Sequence, residues 1–280
     1  MKVGMNLLLW TPSPNENDIP LLHKLKEYGY DGAEFEVTEM TEKECDVLGK
    51  EAADLGMDVT TISIVPFDKG DPMSADKARR DKAVDIIKAN LDKAKIAGAK
   101  VLGGPQTECL GQLMESGPTE EERKRIVEVI QKAGEYAKEI DMLLALEVIN
   151  RFEVRMANTV GQMMEIVERT GEENVGLHVD THHGNIEEED MCGAWKKAQD
   201  KIYLVHLSEN NRGIPGRGSA IGPEVFETLK EMNYGGGLSV EAFFLNRPDD
   251  ITARMRIWRK YAANEDEIAE KGIKYIRQFI

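Results

Sequence analysis

The strongest constraint on this chain is a rhythm repeated eight times, a short apolar run followed by a longer amphipathic stretch. The runs lie at 3–9 (VGMNLLL), 32–36 (GAEFE), 59–65 (VTTISIV), 100–104 (KVLGG), 143–148 (LLALEV), 175–180 (VGLHVD), 202–207 (IYLVHL) and 237–242 (GLSVEA). Several are apolar almost throughout, the pattern of parallel strands covered on both faces by helices. Between them, segments such as 19–29, 42–56, 81–98 and 119–140 place apolar residues at three- and four-residue spacing, the period of a helix with one buried face. EYGYDG, DLGMDV and IAGAKV each put a glycine between a helix end and the next strand, where it can adopt the left-handed cap and turn the chain back. Eight such cycles in 280 residues predict an α/β fold, a closed (β/α)8 TIM barrel. No linker or composition shift divides it, so residues 1–280 are read as one domain with a C-terminal helical segment at 250–280.

Charge narrows the partners. With 36 basic and 51 acidic residues the formal net charge is −15, which removes the basic footprint that nucleic acid requires. No basic run points to a membrane surface, and no apolar stretch approaches the roughly 18 residues of a span. The opening MKVGMNLLLW reads as a first buried strand rather than a secretory leader. Cys45, Cys109 and Cys192 are odd in number and form no CxxC pair, which fits a reducing, cytoplasmic setting without disulfides or a thiolate zinc site.

The chemistry gathers at the carboxyl ends of the strands, where barrels of this kind place their sites. Near their carboxyl ends the fifth run carries Glu147, the sixth Asp180, the seventh His206 and the eighth Glu241. Each interrupts an apolar run, where an ionisable group is costly unless paired or metal-bound. Taken singly, each reads as an ordinary strand-end residue reaching solvent or a salt bridge. Four in register on consecutive strands point instead to a divalent metal, because three carboxylates in one pocket repel without a compensating cation. Oxygen-rich ligation with one imidazole suits Mn²⁺, Co²⁺ or Mg²⁺, with Zn²⁺ left open.

Just beyond these ends lie Asn150, Arg151, Glu153, His183, Asn211 and Arg212, either solvated loop residues or a hydrogen-bonding cradle for a polyol. The stretch 178–187 (HVDTHHGNIE) puts His178 and Asp180 on one strand face, His178 a layer deeper, with His182 and His183 in the following loop. The glycine-rich 213–218 (GIPGRG) lacks P-loop spacing and reads as turns, although Arg212 and Arg217 leave a phosphorylated substrate open. Late aromatics Phe243, Phe244, Trp258 and Tyr261 are expected in the core.

The segments 146–153 (LEVINRFE), 178–188 (HVDTHHGNIEE), 205–213 (VHLSENNRG), 240–243 (VEAF) and 257–259 (IWR) resemble the D-tagatose/D-psicose (allulose) 3-epimerase family, within the xylose-isomerase-like barrel superfamily. The matches cover the second half of the chain. The resemblance implies Glu147, Asp180, His206 and Glu241 as metal ligands and Glu147 and Glu241 as the catalytic pair. It also implies Glu153, His183 and Arg212 at the carbonyl end of a ketose. The expected reaction is inversion of C3 of a free 2-ketose of the D-tagatose, D-fructose/D-psicose or L-ribulose type, dependent on Mn²⁺ or on Co²⁺ or Mg²⁺. The expected assembly is a homodimer or homotetramer. An aldose–ketose isomerase, or a keto-inositol dehydratase-type lyase, would use the same metal site. The family motif reads D-T-[FY]-H-M-N; here His182 and Gly184 stand at the aromatic and methionine positions, so the wall beside the sugar is expected to differ.

Overall fold

Every one of the eight apolar runs contributes a strand to a computed structural model that describes residues 1–112, 115–245 and 255–280. The strands are β1 (Gly4–Asn6), β2 (Gly32–Glu36), β3 (Asp58–Ile62), β4 (Val101–Gly103), β5 (Leu143–Glu147), β6 (Val175–Asp180), β7 (Ile202–Leu207) and β8 (Gly237–Val240). All pair in parallel in sequence order, and β8 returns to β1, so the sheet closes as a TIM barrel and leaves no edge unpaired. The helices are α1 (Ile19–Tyr28), α2 (Glu42–Asp54), α3 (Lys77–Ile96), α4 (Glu120–Glu139), α5 (Val160–Thr170), α6 (Thr181–Glu187), α7 (Met191–Lys197), α8 (Pro223–Glu231) and α9 (Glu265–Ile276). Among the described residues no helix is long and apolar enough to cross a membrane.

Local sequence explains where the elements begin and end. Thr41 with Glu44, Thr119 with Glu122 and Thr159 with Gln162 form reciprocal capping boxes that satisfy otherwise orphaned amides at the starts of α2, α4 and α5. Gly29 closes α1 at φ 97°, a left-handed value that a side chain would disfavour. Gly104, at φ 111°, passes so close to β3 that a Cβ there would lie 2.2 Å from the Ser63 carbonyl oxygen.

Several boundaries differ from expectation. The first strand stops at Asn6, not residue 9, because the Asn6 side chain accepts from the Leu8 amide and starts a 3-10 turn over Leu7–Leu9. β3 ends at Ile62 and β8 at Val240, which sets Glu241 one residue past its strand. His182 and His183 lie not in a loop but in α6, which starts directly after β6 because Asp180 doubles as its N-cap, accepting from the His182 amide at 2.5 Å. Of the C-terminal helical segment at 250–280, residues 250–254 lie outside the described residues, and helix in the remainder is confined to Glu265–Ile276. Phe243 and Phe244 are buried as expected, whereas Trp258 is 76% exposed and Tyr261 is half-buried beneath the Arg259 guanidinium.

Packing divides into two regions. The larger cluster lies between strands and helices and includes Val3, Phe35, Leu102, Leu144, Leu146, Leu177, Val205 and Phe226. A separate one joins Ile62, Val101, Ala145 and Leu204 with Leu8, Phe243 and Ile257. Strand parity puts Ala145 on the same face as Glu147, and Leu204 on the same face as His206. The second cluster is therefore an apolar lining of the lumen that meets the ionisable groups.

Candidate active site

At the carboxyl ends of β5 to β8 the barrel gathers the four predicted metal ligands, all buried: Asp180, His206 and Glu241 form one group, and Glu147 stands beside Asp180 in a second and beside His206 in a third. Register places Asp180 opposite His206, and the Glu241 amide donates to Leu207 O at 3.1 Å, continuing the ladder past β8. His206 Nδ1 lies 3.6 Å from Glu241 Oε1 and 3.9 Å from Asp180 Oδ2. Arg212 reaches in from the loop after β7. Its Nη1 donates to Asp180 Oδ2 at 2.9 Å, Glu241 Oε2 at 2.5 Å and Ser208 Oγ at 3.0 Å, and its Nη2 donates to His183 Nε2 at 3.0 Å. His183 in turn lies 3.8 Å from Glu147 Oε1, and its Nδ1 is 2.7 Å from Asn150 Nδ2. Asn150 also donates to Glu153 Oε1 at 2.8 Å, so Glu153 joins the group through Asn150.

Arg212 is held there by its backbone. Its φ of 60° is left-handed, a conformation that costs a non-glycine residue energy. The amide donates to Glu209 O and the carbonyl accepts from the Phe243 amide, fixing the turn that aims the guanidinium inward. The same chain explains the glycine-rich 213–218. The Glu209 carboxylate accepts from the amides of Gly216 at 2.6 Å and Ala220 at 3.1 Å, and a Cβ on Gly218 would lie 2.2 Å from Glu209 Oε2. These amides cradle an internal carboxylate rather than a phosphate, and Arg217 is exposed.

The donor set fits a divalent cation. Ligand atoms of Asp180, His206 and Glu241 lie within 4.8 Å of one another, as do those of Glu147, Asp180 and His183, and those of Glu147, His178 and His206. Among the described residues His206 Nδ1 is buried without a hydrogen-bond partner, although it faces two carboxylates. The Glu147 carboxylate accepts no hydrogen bond among the described residues. An imidazole lone pair and a carboxylate left free at one point are what an oxygen-preferring ion with one nitrogen ligand requires.

Electrostatics separate the two glutamates. Burial raises the Glu147 carboxyl well above the ordinary range, and the nearby Glu241 raises it further. Burial acts on Glu241 in the same direction, but the charge of the Arg212 guanidinium is the largest influence opposing it, and that carboxyl is brought down to about 2. Asp180 is pushed up to about 6 by burial, with Arg212 opposing.

One residue in contact with this group escapes the sequence reading. Glu34, in the middle of β2, is fully buried, and its Oε1 lies 2.6 Å from His206 Nε2 across the lumen. It is fixed by the residues beside it in register: Asn6 Nδ2 donates to Oε1 and Thr60 Oγ1 to Oε2, both at 2.9 Å. A donor bond from Nε2 to Glu34 leaves the Nδ1 lone pair facing Asp180 and Glu241. Replacing Glu34 with Ala is expected to weaken divalent-metal affinity about 10–100-fold, the usual cost of losing a partner behind a ligating histidine. Calorimetric titration with Mn²⁺ checks this, and unchanged affinity would assign Glu34 to structure alone. The sequence signal was an acid inside an apolar run, the same signal that marked Glu147.

The unusual wall positions also have an account. His182 Nδ1 is 3.2 Å from Glu209 O, and its ring meets that of His183 edge to face at 5.1 Å. At Gly184 a Cβ would lie 2.7 Å from Met191 Sδ, so a thioether from α7 fills the space beside that glycine.

A family model described as xylose isomerase-like TIM barrel matches residues 22–279. An L-ribulose 3-epimerase of Mesorhizobium japonicum is 32% identical over 281 residues, covering 100% of this chain and 93% of its own length. A D-psicose 3-epimerase of Enterocloster bolteae is 27% identical, covering 96% of this chain and 91% of its own. The solved structure of an L-ribulose 3-epimerase superposes with a TM-score of 0.92 at 30% identity, over 99% of this chain and 94% of that one.

Proposed function

From a chain that belongs to the xylose isomerase-like TIM barrel family, and is an isomerase within it, we propose a metal-dependent ketose 3-epimerase acting on a free 2-ketose of the D-tagatose, D-fructose/D-psicose or L-ribulose type. The observation that carries this reading is the pair Glu147 and Glu241, on strands separated by two others, with burial pushing the Glu147 carboxyl up and Arg212 drawing the Glu241 carboxyl down.

Inversion at C3 needs a proton removed from one face and returned to the other. Glu241, held ionised, takes the C3 proton, and the electron pair left behind moves onto the C2 oxygen to give an enediolate. Glu147, on the other side of the substrate plane, delivers a proton to the opposite face of C3, and the two carboxyls then regain their starting states by exchange with solvent. Arg212 donates toward the C2 oxygen as negative charge develops there, His183 steadies that guanidinium beside the substrate by accepting from its Nη2, and Glu153 accepts from a substrate hydroxyl and fixes the orientation. A divalent ion held by Glu147, Asp180, His206 and Glu241, Mn²⁺ by preference with Co²⁺ or Mg²⁺ as substitutes, supplies positive charge that offsets the developing oxyanion. The amides around Glu209 are already occupied, which favours an unphosphorylated substrate. The free cysteines fit a cytoplasmic protein, and a homodimer or homotetramer is the proposed assembly.

The test is a panel of free and phosphorylated ketoses incubated with chelator-stripped protein before and after reloading with Mn²⁺, Co²⁺ or Mg²⁺. C3 epimers are expected from free ketoses only after reloading. Aldose products would overturn the epimerase assignment, and full activity in chelator would overturn the metal dependence.

A further inference from the structure

Of the ionisable residues in β1 to β4, the one at a carboxyl end has no role above. Asp58 opens β3 at the opposite end, and Glu34 is held by Asn6, Thr60 and His206. Glu36 closes β2 and is buried. Strand alternation puts it on the luminal face with Glu34, about 7 Å nearer the mouth. In a barrel of eight strands in sequence order β2 stands opposite β6, so Glu36 lies across the mouth from Asp180. Register sets it beside Ile62, a member of the apolar luminal cluster that also contains Phe243. The Arg212 guanidinium lies over the Phe243 ring, 5.5 Å from its centroid. An apolar floor therefore runs from Glu36 on one side of the mouth to Arg212 on the other.

Only one oxygen of the Glu36 carboxylate is engaged. Oε1 accepts from the Thr38 amide at 3.1 Å and from the Thr38 hydroxyl, bracing the turn after the strand. Oε2 accepts no hydrogen bond among the described residues, and it is not sealed from solvent. Burial raises the carboxyl to about 7, with both Thr38 donors opposing. A carboxylate so placed is costly unless a further donor meets its free oxygen. Bracing alone does not require an acid, since glutamine would supply the same acceptor without the charge.

A ketose held by its carbonyl end at β5 to β8 extends its other end toward β1 to β4. We propose that Glu36 is a specificity-determining residue for that far end, accepting through Oε2 from the terminal hydroxyl of the sugar. This rests on the reading above that the carbonyl end lies beside Arg212. The same carboxylate repels a terminal phosphate, so it selects an unphosphorylated ketose by attraction and by exclusion.

The test compares the free 2-ketose that the protein epimerises best with the analogue lacking its terminal hydroxyl. Wild type is expected to favour the parent in kcat/KM by about 10–100-fold, the range for one hydrogen bond to a charged group. Glu36→Ala should bring the ratio close to one by lowering the parent's value and leaving the analogue's unchanged, with circular dichroism confirming the fold. Equal treatment of the two sugars by wild type overturns the proposal even where the variant does not fold, and leaves the epimerase reading intact. A variant that loses activity on both sugars alike overturns it too, by reducing Glu36 to a brace for its turn. Wild type that epimerises no free ketose overturns both readings together.

Discussion

Glu241→Gln and Glu147→Gln are each expected to lower kcat by about 10²–10⁴-fold, the range lost when a positioned acid–base group is removed. The amide is nearly isosteric, so the barrel is expected to remain folded. The two losses should differ in kind. Glu241 is the group drawn toward its ionised form by Arg212, so its replacement removes the base for the C3 proton. Burial raises the Glu147 carboxyl toward its proton-bearing form, so its replacement blocks return from the opposite face. Glu147→Gln should therefore still exchange the substrate's own C3 hydrogen with deuterated solvent while making little epimer, and Glu241→Gln should do neither. Near-normal epimerisation by either variant would contradict the two-base mechanism.

Arg212→Met is expected to destabilise the chelator-treated protein by about 3–5 kcal/mol, the cost of removing one partner from a buried charged group. Arg212 is 4% exposed and is the guanidinium hydrogen-bonded to both Asp180 and Glu241. Without it, three buried carboxylates face one another. Because a bound cation offsets the same charges, saturating Mn²⁺ should recover much of the loss. Urea unfolding with and without the ion checks this, and equal stability of the variant and wild type in chelator would contradict the electrostatic account.

The barrel was legible in the sequence because its determinant is local: each strand declares itself by an apolar run and each helix by its period. Glu147, Asp180, His206 and Glu241 were legible for the same reason, each being an ionisable residue closing such a run, and the barrel then places consecutive strand ends together. Glu34 carries the same mark, but its meaning depends on a contact from β2 to β7 across the lumen, which no periodicity encodes. α6 was hidden because Asp180 serves two elements at once, and the His-His-Gly-Asn stretch that follows is poor helix-forming sequence that only a side-chain cap recruits. The glycine-rich 213–218 is ambiguous in sequence between turn and anion cradle, and the structure resolves it because Glu209, four residues upstream, accepts from the Gly216 amide within it and from the Ala220 amide just beyond. Trp258 was misjudged because aromatic character favours burial only on average, and the residues around it form neither strand nor helix.

The most direct test of the central claim is where a single hydrogen goes. Mn²⁺-loaded protein is incubated with a free 2-ketose in deuterated water, and the product is examined by NMR and mass spectrometry. A C3 epimer carrying one deuterium at C3 and none at C1 is the predicted result; deuterium at C1 or C2 with formation of an aldose would contradict it.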